Sequence, residues 1–393
     1  MGDFHFSCSG IQIVSRVVRD TFLRNSTSPG TLVYRDTLSS FFIFFFKMSS
    51  LYSLLLVLRL CESIRDRHLR RRVRHYLTCV DLHSRSEPSA WRVLSQSSSE
   101  SGFLDTFGVS TPSFHYLCER MSLFITPSPQ ASYRVPDLLA VSLHYLSSRL
   151  EQRNLCFIYA RPPSTLNRML QEGLEALGKV LQSEPKAQII WPSPMQMRQY
   201  AHIIKQRHPA LENVFGFVDG VFFQVPNSPD PQIQNAYYNG WKSCCAVSNI
   251  LVFAPDGTII YARLNAPGSW HDSVIARKLY NTLENETPDP FRIVGDSAFV
   301  NSSKLLVVGN GETLAEEEQL VSLRQAAEWG MHEVQSKFPR LNCLHKLKFN
   351  TKYTLNIISL CCYLYNYRTR TEKLNQITTV YCAPGLEEED ESR

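Results

Sequence analysis

"VFGFVDGVFFQV", Val214 to Val225, reads as a strand, because valine and phenylalanine suit a pleated, half-buried surface. Asp219 interrupts it. Desolvating a lone carboxylate costs several kcal/mol even after relaxation. The strand therefore makes sense only if something near Asp219 makes its charge tolerable.

The chain downstream supplies a setting. "SCCAVSNILVFAP" (Ser243 to Pro255) and "GTIIYARLN" (Gly257 to Asn265) predict two more strands, joined through the turn residues "PDG". A helix is expected over about 271–283, then a short apolar strand in "FRIVGDSAF" ending at Asp296, then a longer helix from about Glu317 to Lys337. Three strands in meander, a helix, a strand and a helix is the order of an α/β fold: a ribonuclease H-like mixed sheet with flanking helices. In that arrangement carboxylates come from the first strand, the end of the fourth and a later helix. Asp219, Asp296 and Glu328 stand at those places, and Asp272 in "PGSWHDS" is a fourth acid.

Clustered acids repel, so at least one would keep its proton unless a cation intervened. Hard divalent ions, Mg2+ or Mn2+, take such oxygen ligands. A pair of them can activate a water and stabilise the leaving oxygen of a phosphodiester. Each acid alone has a plainer reading: Asp272 as a helix cap, Asp296 as a turn residue, Glu328 as a solvated helix residue. Their joint placement carries the argument.

Upstream, residues 103–188 read as helical. Thr111 is the N-cap candidate of "TPSFHYLCERMSLFI", and Pro136 and Asp137 open another helix. A short helix, Gln152 to Tyr159, meets the break "ARPP", after which Ser164 opens an amphipathic helix. Two helices with a tight turn fit a helix-turn-helix, whose second helix enters the major groove by its N-terminal end. That end offers Ser164, Thr165, Asn167 and Arg168 as DNA contacts. A further helix is expected near Met195 to Arg207. "SQSSSESG" (Ser95 to Gly102) reads as a linker. "RDRHLRRRVRH" (Arg65 to His75) holds six arginines in eleven residues, a nuclear-localisation or nucleic-acid patch or else a solvated helix face. Ser40 to Leu60 is nearly long enough to span a bilayer, but Lys47 and serines interrupt it, which favours a buried helix from about Met48 over a membrane anchor.

The 393 residues suffice for two or three domains, and 44% hydrophobic with 20% charged residues is ordinary for a globular protein. A net charge of +5 permits a nucleic-acid partner without demanding one. The eleven cysteines show no C-x-x-C spacing, which argues against a zinc finger. The pairs Cys244-Cys245 and Cys361-Cys362 lie in apolar runs and fit a reducing compartment. The organisation expected is 1–47 unassigned and disordered, 48–94 basic helices, 103–188 a helical DNA-binding region, 195–384 a nuclease domain and 385–393 an acidic tail.

"GFVDG", "YYNGW", "APGSWHDS", "GDSAF" and "RQAAEWGM", in this order, resemble the Harbinger-type DDE transposases of the DDE-superfamily endonucleases, over roughly Asp137 to Pro384. The resemblance implies a divalent-metal-dependent nuclease that cleaves DNA and, in a mobile element, joins the freed 3′ end to target DNA. It makes Asp219, Asp296 and Glu328 catalytic and metal-holding, with Asp272 as an additional ligand or orienter. It also implies a nuclear location, a preceding helix-turn-helix and a Myb-like accessory protein, and it leaves oligomer formation open. Tyr237, Tyr238, Trp241 and Lys242 are candidate DNA contacts by stacking and phosphate binding, with sheet-edge packing as the alternative. "YLYNYRTR" (Tyr363 to Arg370) resembles the closing helix of these domains, where the family usually has Leu-His-Asn. Two departures stand out: "HEVQSKFPRLNCLH" (His332 to His345) carries Glu333 and few arginines where the family tends to be more basic, and the N-terminal hundred residues match nothing in the family. Glu333 is the next candidate should Glu328 not serve. The alternative function is a domesticated, catalytically weak, sequence-specific DNA-binding protein.

Overall fold

The computed structural model describes residues 59, 89–97, 99–311 and 313–382. The expectations for residues 1–47, for the arginine cluster at 65–75 and for the tail at 385–393 lie outside these, as does the apolar stretch at 40–60 apart from Arg59.

The serine-rich stretch expected to be a linker is helical at both ends. Helix α1 (Ala90–Ser97) runs into it and α2 (Glu100–Phe107) starts from it. Ser99 caps α2 by accepting a hydrogen bond from Gly102 N at 3.2 Å. Gly108, in the left-handed region at φ 67°, closes it. Serine serves a cap as readily as a linker because its hydroxyl satisfies a free helix-end amide; composition alone does not separate the two. Helix α3 (Thr111–Ser122) is capped by Ser110, not by Thr111. In α4 (Val135–Leu146) Asp137 accepts from Arg134 N at 2.8 Å and from Trp91 Nε1 at 2.7 Å, fastening α1 to α4. Helices α5 (Gln152–Tyr159) and α6 (Pro163–Ser183) meet at Ala160, whose φ of 48° makes the turn. Helix α7 (Pro194–Arg207) follows, with Ser193 as its cap.

Strand β1 (Val214–Gln224) is central. It pairs antiparallel with β3 (Cys244–Phe253), which pairs antiparallel with β4 (Ile259–Pro267). On its other side β1 runs parallel to β5 (Arg292–Gly295), and β5 parallel to β6 (Leu305–Val307). A short helix α8 (Pro231–Tyr237) leads into β2 (Tyr238–Asn239), which pairs with the start of β3. Strands β2 and β6 have two and three residues, too few for an alternation to be read in sequence. The helix expected over 271–283 is two helices, α9 (Asp272–Ile275) and α10 (Arg277–Glu286), which meet at Ala276.

Alternation along β1, shifted by an irregularity between Val214 and Gly216, divides the core. Phe217, Val221 and Phe223 join the larger cluster, with α11 (Leu314–Lys337) and α12 (Thr351–Glu372). Phe215 and Val218 join Ile275, Leu279 and Leu283 on the opposite face. The larger cluster continues into the helical region, from Trp91 through Leu177 to Tyr381. Two buried arginines reinforce that junction. Arg340 Nε donates to Tyr145 O at 2.9 Å, and Arg368 donates to Phe107 O and, at 2.8 Å, to Ser147 Oγ. These acceptors lie at the C-terminal ends of α2 and α4, where unpaired carbonyls and the helix dipole favour a cation. Asn366 of α12 fastens the edge strand β4: its Oδ1 accepts from Ile259 N at 2.8 Å, and its Nδ2 donates to Ile259 O at 2.8 Å and Gln188 O at 3.0 Å. The described cysteines are free thiols. Among the described residues, no helix is long and apolar enough to cross a membrane.

Candidate active site

The parallel pairing of β1 with β5 sets Phe217 level with Val294. Two residues further along each chain, Asp219 comes level with Asp296, which directly follows β5. Asp296 closes a turn, its Oδ1 accepting from Ala298 N at 2.9 Å. Helix α11 packs on β1 and brings Glu328 to the same end. Asp219 is half-buried, and its carboxyl is pushed up to about 6, chiefly by desolvation. The Gly220 amide, donating to Asp219 Oδ1 at 2.7 Å, opposes the shift; the charges of Asp296 and Glu328 add to it, and Arg324 draws it down. The acids expected to share a site thus repel one another across this end of the sheet.

Asp272 reaches the group from the other face. Side chains alternate along β1, so position 220 faces away from the Asp219 side chain. A Cβ at Gly220 would lie 3.1 Å from Asp272 Oδ2 and 3.2 Å from its Cγ. Burial raises the Asp272 carboxyl, the charge of Asp296 raises it further, and His271 works against both. Asp296 is therefore the member that couples to both Asp219 and Asp272. Gly220 is a site residue missed in the sequence; the glycine directly after the acid of "VDG" was its signal. Gly220→Ala is expected to displace the Asp272 carboxyl and so to slow by about tenfold any cleavage that the four acids support, since small displacements of a positioned group are costly. The melting temperature should hold or rise slightly, because alanine suits a strand better than glycine. Plasmid nicking and thermal melting on one preparation check both.

Glu328 is engaged by a neighbouring cation. It is half exposed at the rim and paired with Arg324, Nη2 to Oε1 at 2.9 Å, one helical turn back. Such i,i+4 pairs form readily on a helix. Of its neighbours, Ala327 is buried and Trp329 half-buried. Glu333, the reserve candidate, is tied elsewhere. It pairs with Lys337 at 2.7 Å and accepts from Tyr365 Oη at 3.2 Å and Gln376 N at 3.3 Å. Among the described residues, no three His, Cys, Asp or Glu side chains are gathered closely enough to hold an ion as they stand. The donor set nonetheless suits a hard divalent cation: carboxylate oxygens, half-buried and mutually repulsive. Completing it requires Glu328 to turn from Arg324.

Of the expected DNA contacts, Tyr237 packs inward, edge-on to Phe349 with ring centroids 5.8 Å apart, which favours the sheet-edge packing reading for it. Tyr238 and Trp241 are exposed, and Lys242 Nζ lies 4.8 Å from the centre of the Phe222 ring. Trp241 and Lys242 line a cleft of about 210 Å³ whose walls include Phe222, Trp270, His271 and Asp272. Ser164, Asn167 and Arg168 are exposed and Thr165 half-buried at the start of α6, a helix that packs mainly on α4. A larger hollow of about 290 Å³ against β4 is lined by none of the four acids.

Residues 218–366 match the family model described as DDE superfamily endonuclease. No curated protein matches the chain. Among solved structures, the Mos1 transposase paired-end complex with left transposon end is similar at 15% identity over 62% of this chain and 81% of that one, with a TM-score of 0.17.

Proposed function

We propose that this chain is a divalent-metal-dependent DNA endonuclease of the Harbinger transposase type, which cuts phosphodiester bonds and, within a mobile element, joins the freed 3′ end to target DNA. One observation carries this reading: at one end of the sheet Asp219 feels the charges of both Asp296 and Glu328, within the segment that matches the endonuclease family model. The strand order β4-β3-β1-β5-β6, with antiparallel β1, β3 and β4 and parallel β1, β5 and β6, supports a ribonuclease H-like sheet.

Asp219, Asp296 and Glu328 would hold magnesium or manganese, with Asp272 as a further ligand or orienter. Bound there, the metal would supply charge at the leaving oxygen and acidify a water. The chain's own residues do the positioning. Asp219 is fixed on the central strand, between partners on both sides. Arg324 holds Glu328 at the rim, and a bound cation would have to draw it away. Tyr238, Trp241 and Lys242 would contact the DNA strand, and Ser164, Thr165, Asn167 and Arg168 the major groove. Action in the nucleus, with a Myb-like accessory protein and self-association, belongs to the same reading.

The Glu328–Arg324 pair favours a second reading, a sequence-specific DNA-binding protein that cleaves weakly. Nicking of supercoiled plasmid by the full chain, with magnesium or manganese against EDTA, separates the two: metal-dependent nicks support the nuclease, and retained DNA binding without nicks supports the binder. Glu328→Gln should lower cleavage by at least about a hundredfold, since it removes an anionic ligand at nearly constant volume. DNA binding in EDTA should hold or tighten slightly, because one charge that repels phosphate is gone. Cleavage at the wild-type rate would remove Glu328 from the site.

A further inference from the structure

Two tryptophans far apart in sequence face one cleft. Trp241 follows β2 and is 92% exposed; Trp270 immediately precedes His271 and Asp272 and is 46% exposed. The loops that carry them are fastened to each other. Asn239 Nδ2 donates to Gly268 O at 2.7 Å, its Oδ1 accepts from Lys242 N at 2.9 Å, and Ser269 N donates to Ala236 O at 3.3 Å. A Cβ at Gly268 would lie 2.5 Å from Ala246 O and 2.7 Å from Tyr237 O, so only glycine lets the loops approach this closely. These contacts fix the backbones of the two loops relative to each other, while the Trp241 side chain stands almost wholly in solvent.

The chemistry of the cleft narrows its occupant. Two exposed indoles and the Phe222 ring offer π-faces, Lys242 offers a single cation, and Asp272 stands at the margin. A base attached to a phosphate matches this pattern: its face stacks on aromatic side chains while the ammonium meets the phosphate. At about 210 Å³ the cleft is smaller than the pockets that take drug-sized ligands, which start near 300 Å³. We propose that this cleft accepts one unstacked nucleobase from the strand held beside Asp272, stacked on Trp241 and Trp270, with Asn239 as the positioning residue for both loops. The proposal rests on the DNA-endonuclease reading and adds a requirement to it: a base must leave the duplex stack for the strand to seat.

The test uses the full chain in EDTA and fluorescence anisotropy with two probes, a short single-stranded thymidine oligonucleotide and an abasic oligonucleotide of equal length and charge. The wild type should bind the thymidine probe at least about fivefold more tightly, the lower end of what one stacked base contributes. Trp241→Ala and Trp270→Ala should each bring the two affinities close together without weakening the abasic probe, and the phenylalanine variants should keep most of the preference. Asn239→Ala should lose the preference with both tryptophans present. Equal wild-type affinity for the two probes overturns the proposal. So does equal weakening of both probes in the alanine variants, or a change confined to self-association in sedimentation. Plasmid nicking by the wild type keeps the two readings apart: nicking without a base preference sinks the pocket alone, whereas a base preference without nicking sinks the nuclease and leaves a single-strand binding cleft.

Discussion

Asp219→Asn is expected to lower metal-dependent DNA cleavage by roughly a thousandfold or more and, in the same protein, to raise the melting temperature measured in EDTA. Asparagine keeps the shape of the side chain and removes a charge. That charge is costly when no cation is bound, because the carboxyl titrates near 6 in the fold against an ordinary 3.8. A folded value above the unfolded one means that the native state holds the proton more tightly. Stability then falls as pH rises between these two values and stays reduced above them. The rise from 3.8 to about 6 corresponds to about 3 kcal/mol at neutral pH. Part of it is desolvation of a side chain that asparagine still buries, so the gain at pH 7 should be about 1–2 kcal/mol, or a few degrees in a protein of this size. Melting both proteins across pH 4 to 8 isolates the effect of this group, as their difference should widen toward pH 7. Magnesium should then raise the melting temperature of the wild type and leave the variant nearly unmoved. A variant less stable than wild type at pH 7, or one that responds equally to magnesium, would mean that Asp219 is not strained by its neighbours.

How much of this site could be read from the chain depends on the range of each interaction. The eleven residues of β1 are long enough for composition to declare a strand, and its acid is visible as an exception to that composition. Asp296 was legible because "GDS" ends a short apolar run, and α11 because its length leaves no competing assignment. The face from which Asp272 approaches was not legible: chain order places it at a helix start, while the side of the sheet depends on the crossover. Only the glycine next to Asp219 hinted that something packs there. The Glu328–Arg324 pair is readable at i,i+4 spacing, but spacing alone does not say whether the carboxylate turns to the arginine or to the sheet. The meeting of "YYNGW" with "PGSW" rests on a side-chain amide reaching a carbonyl 29 positions away, a contact that no local pattern encodes. The serines at 95–102 show the reverse case, where a local pattern was legible but fitted two structures equally well.

Asn366→Leu is expected to destabilise the fold by roughly 2–4 kcal/mol, because each buried polar group left without a partner costs about 1–3 kcal/mol. Asn366 is fully buried. It serves Ile259 N, Ile259 O and Gln188 O, with every contact at 3.0 Å or less. Leucine fills nearly the same volume and gains some apolar burial, yet it strands the amide and carbonyl of Ile259, and the losses exceed the gain; Gln188 O keeps Arg370 Nη1 as a donor at 2.9 Å. The place matters as much as the count. Ile259 opens β4, which pairs with β3 on one side and meets α12 on the other. An edge strand without such cover exposes unpaired backbone groups that recruit other chains. The variant should therefore melt about 5–15 °C lower, lose hydrogen-exchange protection at the Ile259 amide and aggregate on heating. Asn366→Asp separates hydrogen bonding from shape: it keeps the acceptor for Ile259 N, loses the donor, and adds a charge that burial disfavours. Its defect should be greatest at neutral pH and shrink in acid, where the protonated carboxyl can again donate to Ile259 O. A leucine variant that melts within a degree or two of wild type, with the Ile259 amide still protected, would mean that packing of α12 covers the edge of β4 without the amide clamp.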